Sequence, residues 1–182
     1  MLILLLRTIA ERNIEGDLAE VGVYKGYTAK LLHHYMPEKN LHLFDTFEGF
    51  TDRNVVKEKQ HTGVPILGTQ FSDTSLDEVR YYISPKNNNV MFYKGYFPET
   101  IPQTLYKITF AFVHLDADLY ESTLTALHFF YPRMSVGGMI VIHDYNAWLG
   151  ARKASDNFFI GKPEVLIPLP DKSGSALVIK QG

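Results

Sequence analysis

The 182-residue sequence contains no cysteine. Disulfide bonds, thiolate zinc sites and cysteine nucleophiles are therefore excluded, and the composition suits a reducing compartment, so we expect a cytoplasmic protein. A surplus of positive charge is also missing, since 18 Lys and Arg face 20 Asp and Glu. Without a basic surplus a chain binds a phosphate backbone poorly, so we expect no nucleic-acid partner.

Long hydrophobic runs are lacking as well. The apolar run Leu2–Leu6 has no basic region before it, and it is far shorter than the roughly 20 residues of a membrane span. We expect no membrane partner, and we predict instead a first helix from Leu2 to about Arg12 within an N-terminal segment 1–15. With 46% hydrophobic and 21% charged residues, the chain suits one globular domain over 1–182.

The rest of the chain alternates between apolar runs and helical patterns. Predicted strands cover 17–22, 41–45, 89–94, 108–116 and 139–144, the last after a turn at Gly137 and Gly138. Predicted helices cover 27–35, 120–131 and a segment ending near Ile83 that Ser75 and Glu78 open as a capping box. Segments 164–169 and 176–180 form a predicted hairpin. The pattern indicates an α/β fold with a doubly wound, mostly parallel sheet and a C-terminal antiparallel hairpin.

The segment Thr51–Thr74 interrupts this alternation. It has little periodicity and contains Gly63, Pro65 and Gly68. An irregular loop of this length is uncommon in a compact domain and is usually functional or disordered. We predict a lid over the substrate, with a passive surface loop as the alternative.

Glycine or titratable residues follow the apolar interiors of five predicted strands. The residues concerned are Glu20 and Gly22, Asp45, Gly95, Asp116, and His143 with Asp144. In open α/β sheets the ligand lies beyond the carboxyl ends of the strands, where the strand order reverses. This coincidence predicts a binding site at that edge of the sheet.

The first strand leads into a glycine-containing loop, Glu20-Val-Gly-Val-Tyr-Lys-Gly26. Glycine permits a sharp turn and a close backbone approach to a ligand. Tyr24 stands where the dinucleotide pattern G-x-G-x-x-G has its second glycine, which favours a ligand without a pyrophosphate. A plain strand-to-helix turn is the alternative reading of this loop.

Asp45 ends the second strand, where an acidic residue typically accepts hydrogen bonds from ribose hydroxyls. The alternative is a helix N-cap for the segment that follows. Phe47, Tyr96 and Phe97 are candidates to enclose an adenine, although each also suits a core position.

Asp116, Asp118, His143 and Asp144 form a second group of candidates. Two carboxylates at the ends of adjacent strands suit one divalent cation, and Mg²⁺ prefers oxygen ligands. Such a cation would lower the pKa of a substrate hydroxyl and orient its oxygen. Helix capping is the alternative, above all for Asp118, which lies just before the predicted helix from Tyr120.

Five segments together resemble the macrocin O-methyltransferase family (the TylF/MycF group). They are Glu20–Gly26, Phe44-Asp-Thr-Phe-Glu-Gly49, Lys94-Gly-Tyr-Phe-Pro-Glu-Thr100, His114-Leu-Asp-Ala-Asp-Leu-Tyr-Glu-Ser-Thr123 and Ile142-His-Asp-Tyr145. The resemblance runs from about Gly16 to the C-terminus, and Asp118–Thr123 is its most specific part. It implies a class I, Rossmann-like methyltransferase fold of seven strands that uses S-adenosylmethionine and magnesium, with manganese as a second candidate ion.

The resemblance also implies roles for individual residues. Asp116 matches the family's first metal-binding aspartate and a candidate base, and Asp144 matches the last ligand of an adjacent acidic pair. The implied cofactor-binding residues are Glu20, Gly22, Val23, Tyr24, Gly26, Thr28, Asp45, Thr46, Phe47, Gly95, Tyr96 and Phe97.

Two features depart from the family pattern. His143 replaces the first acidic residue of the pair; imidazole suits zinc, manganese or nickel better than magnesium, so either the preferred ion shifts or His143 acts as a catalytic base. The segment before the first strand is also shorter than is usual in the family, which bears on acceptor specificity and on a possible homo-oligomer.

We therefore predict an S-adenosylmethionine-dependent O-methyltransferase that methylates a hydroxyl of a sugar or another small polar acceptor. The expected metal ligands are Asp116, His143 and Asp144, and the expected catalytic residues are Asp116 and His143. The alternatives are a NAD-dependent oxidoreductase on a similar sheet and a cofactor-binding scaffold without turnover, which His143 keeps open.

Overall fold

A twisted sheet runs through the part of the chain that the computed structural model describes, residues 1–83 and 89–182. Its strands are β1 (Asp17–Val21), β2 (Leu41–Asp45), β3 (Val90–Lys94), β4 (Phe110–Leu115), β5 (Met134–Ile142), β6 (Ile167–Pro168) and β7 (Ala176–Ile179). Their order is β3-β2-β1-β4-β5-β7-β6; β7 is antiparallel to β5 and β6, and the other pairs are parallel. The predicted fold class and hairpin are confirmed.

Helices cover both faces of this sheet. They are α1 (Leu2–Glu11), α2 (Tyr27–Tyr35), α3 (Asp52–Thr62), α4 (Leu76–Ile83), α5 (Tyr120–Phe130) and α6 (Leu149–Phe159). Buried side chains of α1, α2 and α4 form one core with the sheet, and those of α5 and α6 form the other. Helix α3 contacts α5 and α6. Within 1–83 and 89–182, no helix is long and apolar enough to cross a membrane.

The central strands are buried on both faces, which explains why most of their side chains are apolar. Strand β4 is buried at every position. Polar side chains are costly in such a layer. Glu20, His42 and His114 are the exceptions and have hydrogen-bonding partners, while the other polar side chains of β1, β2 and β4 lie at the strand ends. The cost of burying polar side chains is the physical reason why the strand ends were recognisable in the sequence.

The segment from Thr51 to Thr74 is only partly irregular, and the prediction of one long loop is wrong. Helix α3 occupies its first half, with Thr51 and Asn54 forming a capping box and Gly63 ending the helix at φ +76°. A helix so rich in charged and polar residues has no apolar periodicity to reveal it. The capping signals at its two ends were nevertheless present in the sequence.

The predicted turn at Gly137 and Gly138 is also wrong, because β5 begins at Met134 and runs through both glycines. The strand bulges there: Phe110 pairs with Met134, while Phe112 pairs with Met139. Gly137 N donates to the Lys180 carbonyl at 2.8 Å, and Lys180 N donates to the Gly138 carbonyl at 2.8 Å, so the bulged backbone stays paired. Helix α6 was not predicted, although its buried residues Ala151, Ala154 and Phe158 follow a helical period.

Candidate active site

The register of the parallel strands aligns the candidate residues at one edge of the sheet. Val21 pairs with both Phe44 and Leu115, and Leu115 pairs with Ile142. The residue that follows each of these positions therefore lies at the same carboxyl-terminal edge of the sheet. Gly22, Asp45, Asp116 and His143 all lie there and border one pocket.

This pocket lies where the strand order reverses between β1 and β4, as expected for an open α/β sheet. Its empty space, open solvent at the mouth included, amounts to about 910 Å³. Its lining residues are Val21, Gly22, Tyr24, Phe44, Asp45, Thr46, Gly49, Phe50, Asn54, Phe71, Gly95, Tyr96, Phe97, Asp116, Ala117, Asp118, Leu119, Ser122, His143 and Asp144.

Gly22 lets the floor of the pocket form. It has φ +86°, and a Cβ placed on it would lie 2.0 Å from the carbonyl oxygen of Asp116. Only glycine permits this approach of the β1 loop to the end of β4. The packing of β1 against β4 accounts for this glycine, and the predicted close approach of its backbone to a ligand stays a prediction.

Asp45 holds the loop after β1 with both of its carboxylate oxygens. Oδ2 accepts hydrogen bonds from Val23 N at 2.6 Å and Tyr24 N at 2.9 Å, and Oδ1 accepts one from Phe47 N at 2.6 Å. Asp45 is not the N-cap of a helix, because Thr51 has that position for α3. A carboxylate has about four acceptor positions, so Asp45 retains capacity for a ribose hydroxyl.

Gly95, Tyr96 and Phe97 line the pocket beyond β3. Tyr96 OH donates to Glu121 Oε2 at 3.1 Å, and the Arg53 guanidinium lies 4.0 Å from the centre of the Tyr96 ring. Burial and the neighbouring Glu121 carboxylate raise the pKa of Tyr96 to about 12, so its hydroxyl stays protonated. The rings of Phe44 and Phe97 contact each other at 5.3 Å, which makes this end of the pocket apolar.

Asp116, His143 and Asp144 form the polar end. His143 Nδ1 lies 2.8 Å from Asp116 Oδ1 and 3.3 Å from Asp144 Oδ1. Burial lowers the pKa of His143, but the two carboxylates outweigh burial and raise that pKa to about 10. Burial raises the pKa of Asp144, and His143 more than compensates, so the Asp144 pKa falls below its ordinary value.

The donor set of this cluster fits a divalent cation. Two carboxylate oxygens and one imidazole nitrogen lie within 4.8 Å of one another. Among the described residues, the buried Nδ1 atom of His143 makes no hydrogen bond of acceptable geometry, although the carboxylates of Asp116 and Asp144 are near. The nitrogen donor favours a transition ion over magnesium.

Asp118 is also part of the pocket, and its interpretation as a helix cap is wrong. Glu58 of α3 takes that position, since its Oε2 accepts a hydrogen bond from Tyr120 N at 2.8 Å. Asp118 is buried beside Asp116 and Asp144, and burial followed by these two charges raises its pKa well above the ordinary value. No local sequence signal predicts that Glu58 instead of Asp118 caps α5, because Glu58 and Tyr120 are far apart in the chain.

Glu20 lies beneath the pocket rather than in its lining. Its Oε1 contacts His114 Nδ1 at 3.0 Å, and both side chains are buried. Burial outweighs this contact and raises the pKa of Glu20 to about 7. Its role as a direct cofactor contact stays a prediction.

Four further candidates also lie outside the lining. Phe47 is buried in the core, Val23 is buried and contributes its amide to Asp45, and Thr28 lies in the first turn of α2. Gly26 precedes α2 at φ +78°, and a Cβ placed on it would lie 2.9 Å from Val79 of α4. Gly26 thus serves helix packing, and cofactor contacts by these four residues stay predictions.

The sequence did not reveal the part of the lining that comes from Gly49 to Phe71. Phe50, Asn54 and Phe71 also border the pocket. Ser122 of α5 was likewise missed as a lining residue. These residues do not follow the carboxyl end of a strand, which is the feature by which the site was located in the sequence, so they were not predicted.

Solved structures with the same topology define the class of the fold. The O-methyltransferase NovP superposes with a TM-score of 0.83 at 23% identity, covering 99% of this chain and 78% of NovP. The calicheamicin methyltransferase CalS11 superposes with a TM-score of 0.74 at 20% identity, covering 97% of this chain and 77% of CalS11. The fold is that of a class I methyltransferase.

The family follows from sequence comparison. The family model of macrocin O-methyltransferase (TylF) matches residues 2–167, and this chain belongs to that family. Demethyldecarbamoylnovobiocin O-methyltransferase of Streptomyces niveus is 30% identical, over 80% of this chain and 59% of its own length. A tetracenomycin rhamnosyl 4'-O-methyltransferase of Streptomyces olivaceus is 31% identical, over 77% of this chain and 57% of its own length. The chain thus spans less than two thirds of the length of these curated relatives.

Proposed function

We propose that this protein is an S-adenosylmethionine-dependent O-methyltransferase that acts on a hydroxyl of a sugar-containing small molecule with the aid of a divalent cation. The observation that carries the proposal is the convergence of Gly22, Asp45 and the Asp116–His143–Asp144 cluster on one pocket of a macrocin O-methyltransferase family member. The names of its relatives, which are O-methyltransferases of novobiocin-type and rhamnosyl compounds, support the acceptor class.

The apolar end of the pocket suits an adenine, and Asp45 suits the ribose hydroxyls. Phe44, Phe97 and Leu119 supply the apolar walls. Bound there, S-adenosylmethionine would supply an electrophilic methyl group for transfer from its sulfur to the acceptor oxygen, with S-adenosylhomocysteine and one proton as the other products. The residues of the chain orient both molecules and exclude water around them.

Asp116, His143 and Asp144 would hold the cation, magnesium or manganese, which would supply Lewis acidity toward the acceptor hydroxyl. Asp116 reaches the pocket with about a third of its side chain exposed. We assign it as the group that accepts the hydroxyl proton at a carboxylate oxygen. His143 serves as the nitrogen ligand in this proposal, and its alternative role as base stays a prediction.

The segment 51–74 is proposed to act as a lid. It is fastened to the β1 loop, where Asp73 accepts hydrogen bonds from Tyr24 OH and Lys25 Nζ, each at 2.6 Å. On the opposite side Arg53 pairs with Glu99 at 2.7 Å. These contacts are exposed and therefore weak, which suits a segment that opens for ligand exchange. A homo-oligomeric state and a cytoplasmic location stay predictions.

Calorimetry with S-adenosylhomocysteine, with and without Mn²⁺ or Mg²⁺, tests the proposal directly. We expect saturable binding by the unaltered protein. Asp45→Asn should weaken it by about tenfold or more, because the amide nitrogen replaces one of two oxygens that each accept from backbone N–H groups. Asp77→Asn, an exposed aspartate on α4, is the matched control. Failure of the unaltered protein to bind S-adenosylhomocysteine under any of these conditions would refute the assignment.

A further inference from the structure

Asn54 lines the pocket from the first turn of α3 rather than from the end of a strand. Only 7% of this residue is exposed. A side-chain amide buried to this extent is costly unless its oxygen and its nitrogen both find hydrogen-bonding partners. The oxygen can accept two hydrogen bonds and the nitrogen can donate two, so the two ends of the amide are considered separately.

The oxygen of the Asn54 amide is committed to the cap of its own helix. Oδ1 accepts hydrogen bonds from Thr51 N at 2.9 Å and from Thr51 Oγ1 at 2.8 Å. Thr51 Oγ1 in return accepts one from Asn54 N at 3.3 Å, which completes the capping box. Because the Thr51 N–H can only donate, turning the amide over would place two donors against each other. The capping box therefore fixes the orientation of the amide.

The nitrogen of the same amide is available to a ligand. Within residues 1–83 and 89–182, Asn54 Nδ2 donates to no protein acceptor. It is also not one of the unpaired atoms that are fully enclosed in this part of the chain, so some of its surface stays accessible. An unpaired donor in a pocket wall is expected to bond to the molecule that occupies the pocket. Because Asn54 is the third residue of α3, the partial positive charge of the helix N-terminus also favours an anionic partner.

The positively charged side chains in and beside the lining are already matched by carboxylates. The lining contains four aspartates and one histidine, and no lysine or arginine of the described residues belongs to it. The histidine, His143, lies 2.8 Å from Asp116 Oδ1 and 3.3 Å from Asp144 Oδ1. Arg53 does not line the pocket and pairs with Glu99 at 2.7 Å. A ligand carboxylate in this pocket therefore depends on neutral N–H and O–H donors.

We propose that Asn54 is a cofactor-binding residue whose Nδ2 donates a hydrogen bond to the carboxylate of the methionine portion of S-adenosylmethionine. That carboxylate has acceptor atoms alone, so the aspartates of the lining cannot bind it, whereas the adenine and the ribose suit Phe97 and Asp45. The Asn54 amide can only donate, because the capping box occupies its oxygen. The inference rests on the proposed function and adds to it a contact that no strand end provides.

Decarboxylated S-adenosylhomocysteine, S-adenosyl-3-thiopropylamine, isolates this contact because it differs from S-adenosylhomocysteine only in lacking the carboxylate. Calorimetry measures the dissociation constants of both compounds for the unaltered protein, Asn54→Ala and Asn54→Asp. We expect the unaltered protein to bind S-adenosylhomocysteine about tenfold more tightly than the amine, because the hydrogen bond is made to a charged group. Both variants should bind S-adenosylhomocysteine about tenfold more weakly and lose most of this preference, while their affinity for the amine should not fall.

The two variants separate the lost donor from the lost helix cap. Asn54→Asp keeps an oxygen for the donors of Thr51 but has no N–H, whereas Asn54→Ala removes the donor without adding charge. A loss of preference that both variants share therefore results from the missing donor. Asn13→Asp, which changes an exposed asparagine after α1, is the control for net charge and should keep the preference.

The outcomes distinguish this inference from the proposed function. A preference for the carboxylate that is absent in the unaltered protein, or that persists in folded Asn54→Ala or Asn54→Asp, would overturn the inference. Equal weakening of both compounds would overturn it too, because the contact would then lie on a part of the cofactor that both compounds share. If the unaltered protein binds neither compound, the proposed function itself fails, and the inference with it.

Discussion

At the scale of single residues, His143 is the feature that most distinguishes this site. Its Nδ1 lies close to two carboxylate oxygens, so one nitrogen and two oxygens converge. A nitrogen ligand raises the affinity for transition ions relative to magnesium. Under the proposed function, the ion preference of the site therefore depends on this one side chain.

His143→Asp should reverse this preference. We expect the ratio of the Mg²⁺ to the Zn²⁺ dissociation constant to fall by about tenfold or more, because a hard oxygen replaces the imidazole. Calorimetric titration of each ion into both proteins measures the ratio. His128→Asp, on the exposed side of α5, should leave it unchanged, and an unchanged ratio in His143→Asp itself would argue against ligation by His143.

Gly22 and Gly63 form a second residue-scale comparison, since both have a left-handed backbone conformation. A Cβ on Gly22 would lie 2.0 Å from the Asp116 carbonyl oxygen, whereas a Cβ on Gly63 would meet nothing within 4 Å. Gly63→Ala should lower the free energy of unfolding by only about 1 kcal/mol, the cost of the backbone conformation. Gly22→Ala should lower it by roughly 3 kcal/mol or more and abolish S-adenosylhomocysteine binding. Urea denaturation measures both, and equal losses would show that the close approach is unimportant.

At the scale of elements, Glu164 ties the segment after α6 to the end of β7. Its carboxylate accepts hydrogen bonds from Tyr131 OH, from Lys180 Nζ at 3.0 Å and from Gln181 N at 3.1 Å. Burial raises the pKa of Glu164, but these hydrogen bonds outweigh burial and lower it from 4.5 to about 2. The interaction lies at the edge of the sheet opposite the pocket, because β7 runs antiparallel to β5.

The depressed pKa predicts how stability depends on pH. The carboxylate contributes stability above its unfolded pKa near 4.5, and this contribution is lost as the pH falls toward about 2. Glu164→Gln should therefore be less stable than the unaltered protein by up to about 3 kcal/mol at pH 7, with the difference shrinking below pH 4.5. Urea denaturation across this range measures it, with exposed Glu11→Gln as the control. A difference that does not vary with pH would indicate that lost packing, not charge, destabilises the variant.

At the scale of the whole molecule, the pocket joins elements from both layers. The loop after β1 leads into α2 on one face, while α3 and α5 contribute residues from the other. A ligand that contacts all of them binds the folded state and not the unfolded chain. Stability of the whole molecule should therefore follow occupancy of the pocket.

S-adenosylhomocysteine at a hundred times its dissociation constant should raise the free energy of unfolding by about 2.7 kcal/mol. A thermal-shift series with S-adenosylhomocysteine, NAD and divalent ions, singly and combined, measures the effect. NAD should produce no shift, because Tyr24 occupies the place of the second glycine of a dinucleotide loop. A shift with NAD but not with S-adenosylhomocysteine would favour an oxidoreductase.

The sequence by itself determined the fold class, a mostly parallel sheet with a C-terminal hairpin, and the edge of the sheet that carries the site. Buried parallel strands must be apolar, so Gly22, Asp45, Asp116 and His143 stood out where the apolar runs ended. Local signals failed at α3, a polar helix without periodicity, and at the β5 bulge, which depends on pairing with Lys180.

Only the tertiary structure decided how the site is built. It showed that Asp45 accepts three backbone hydrogen bonds, that Glu58 caps α5 in place of Asp118, and that Phe50, Asn54 and Phe71 complete the lining of the pocket. Each of these facts depends on distances of a few ångströms between groups far apart in the chain. Such distances result from the packing of the whole domain, and no local pattern of residue types encodes them.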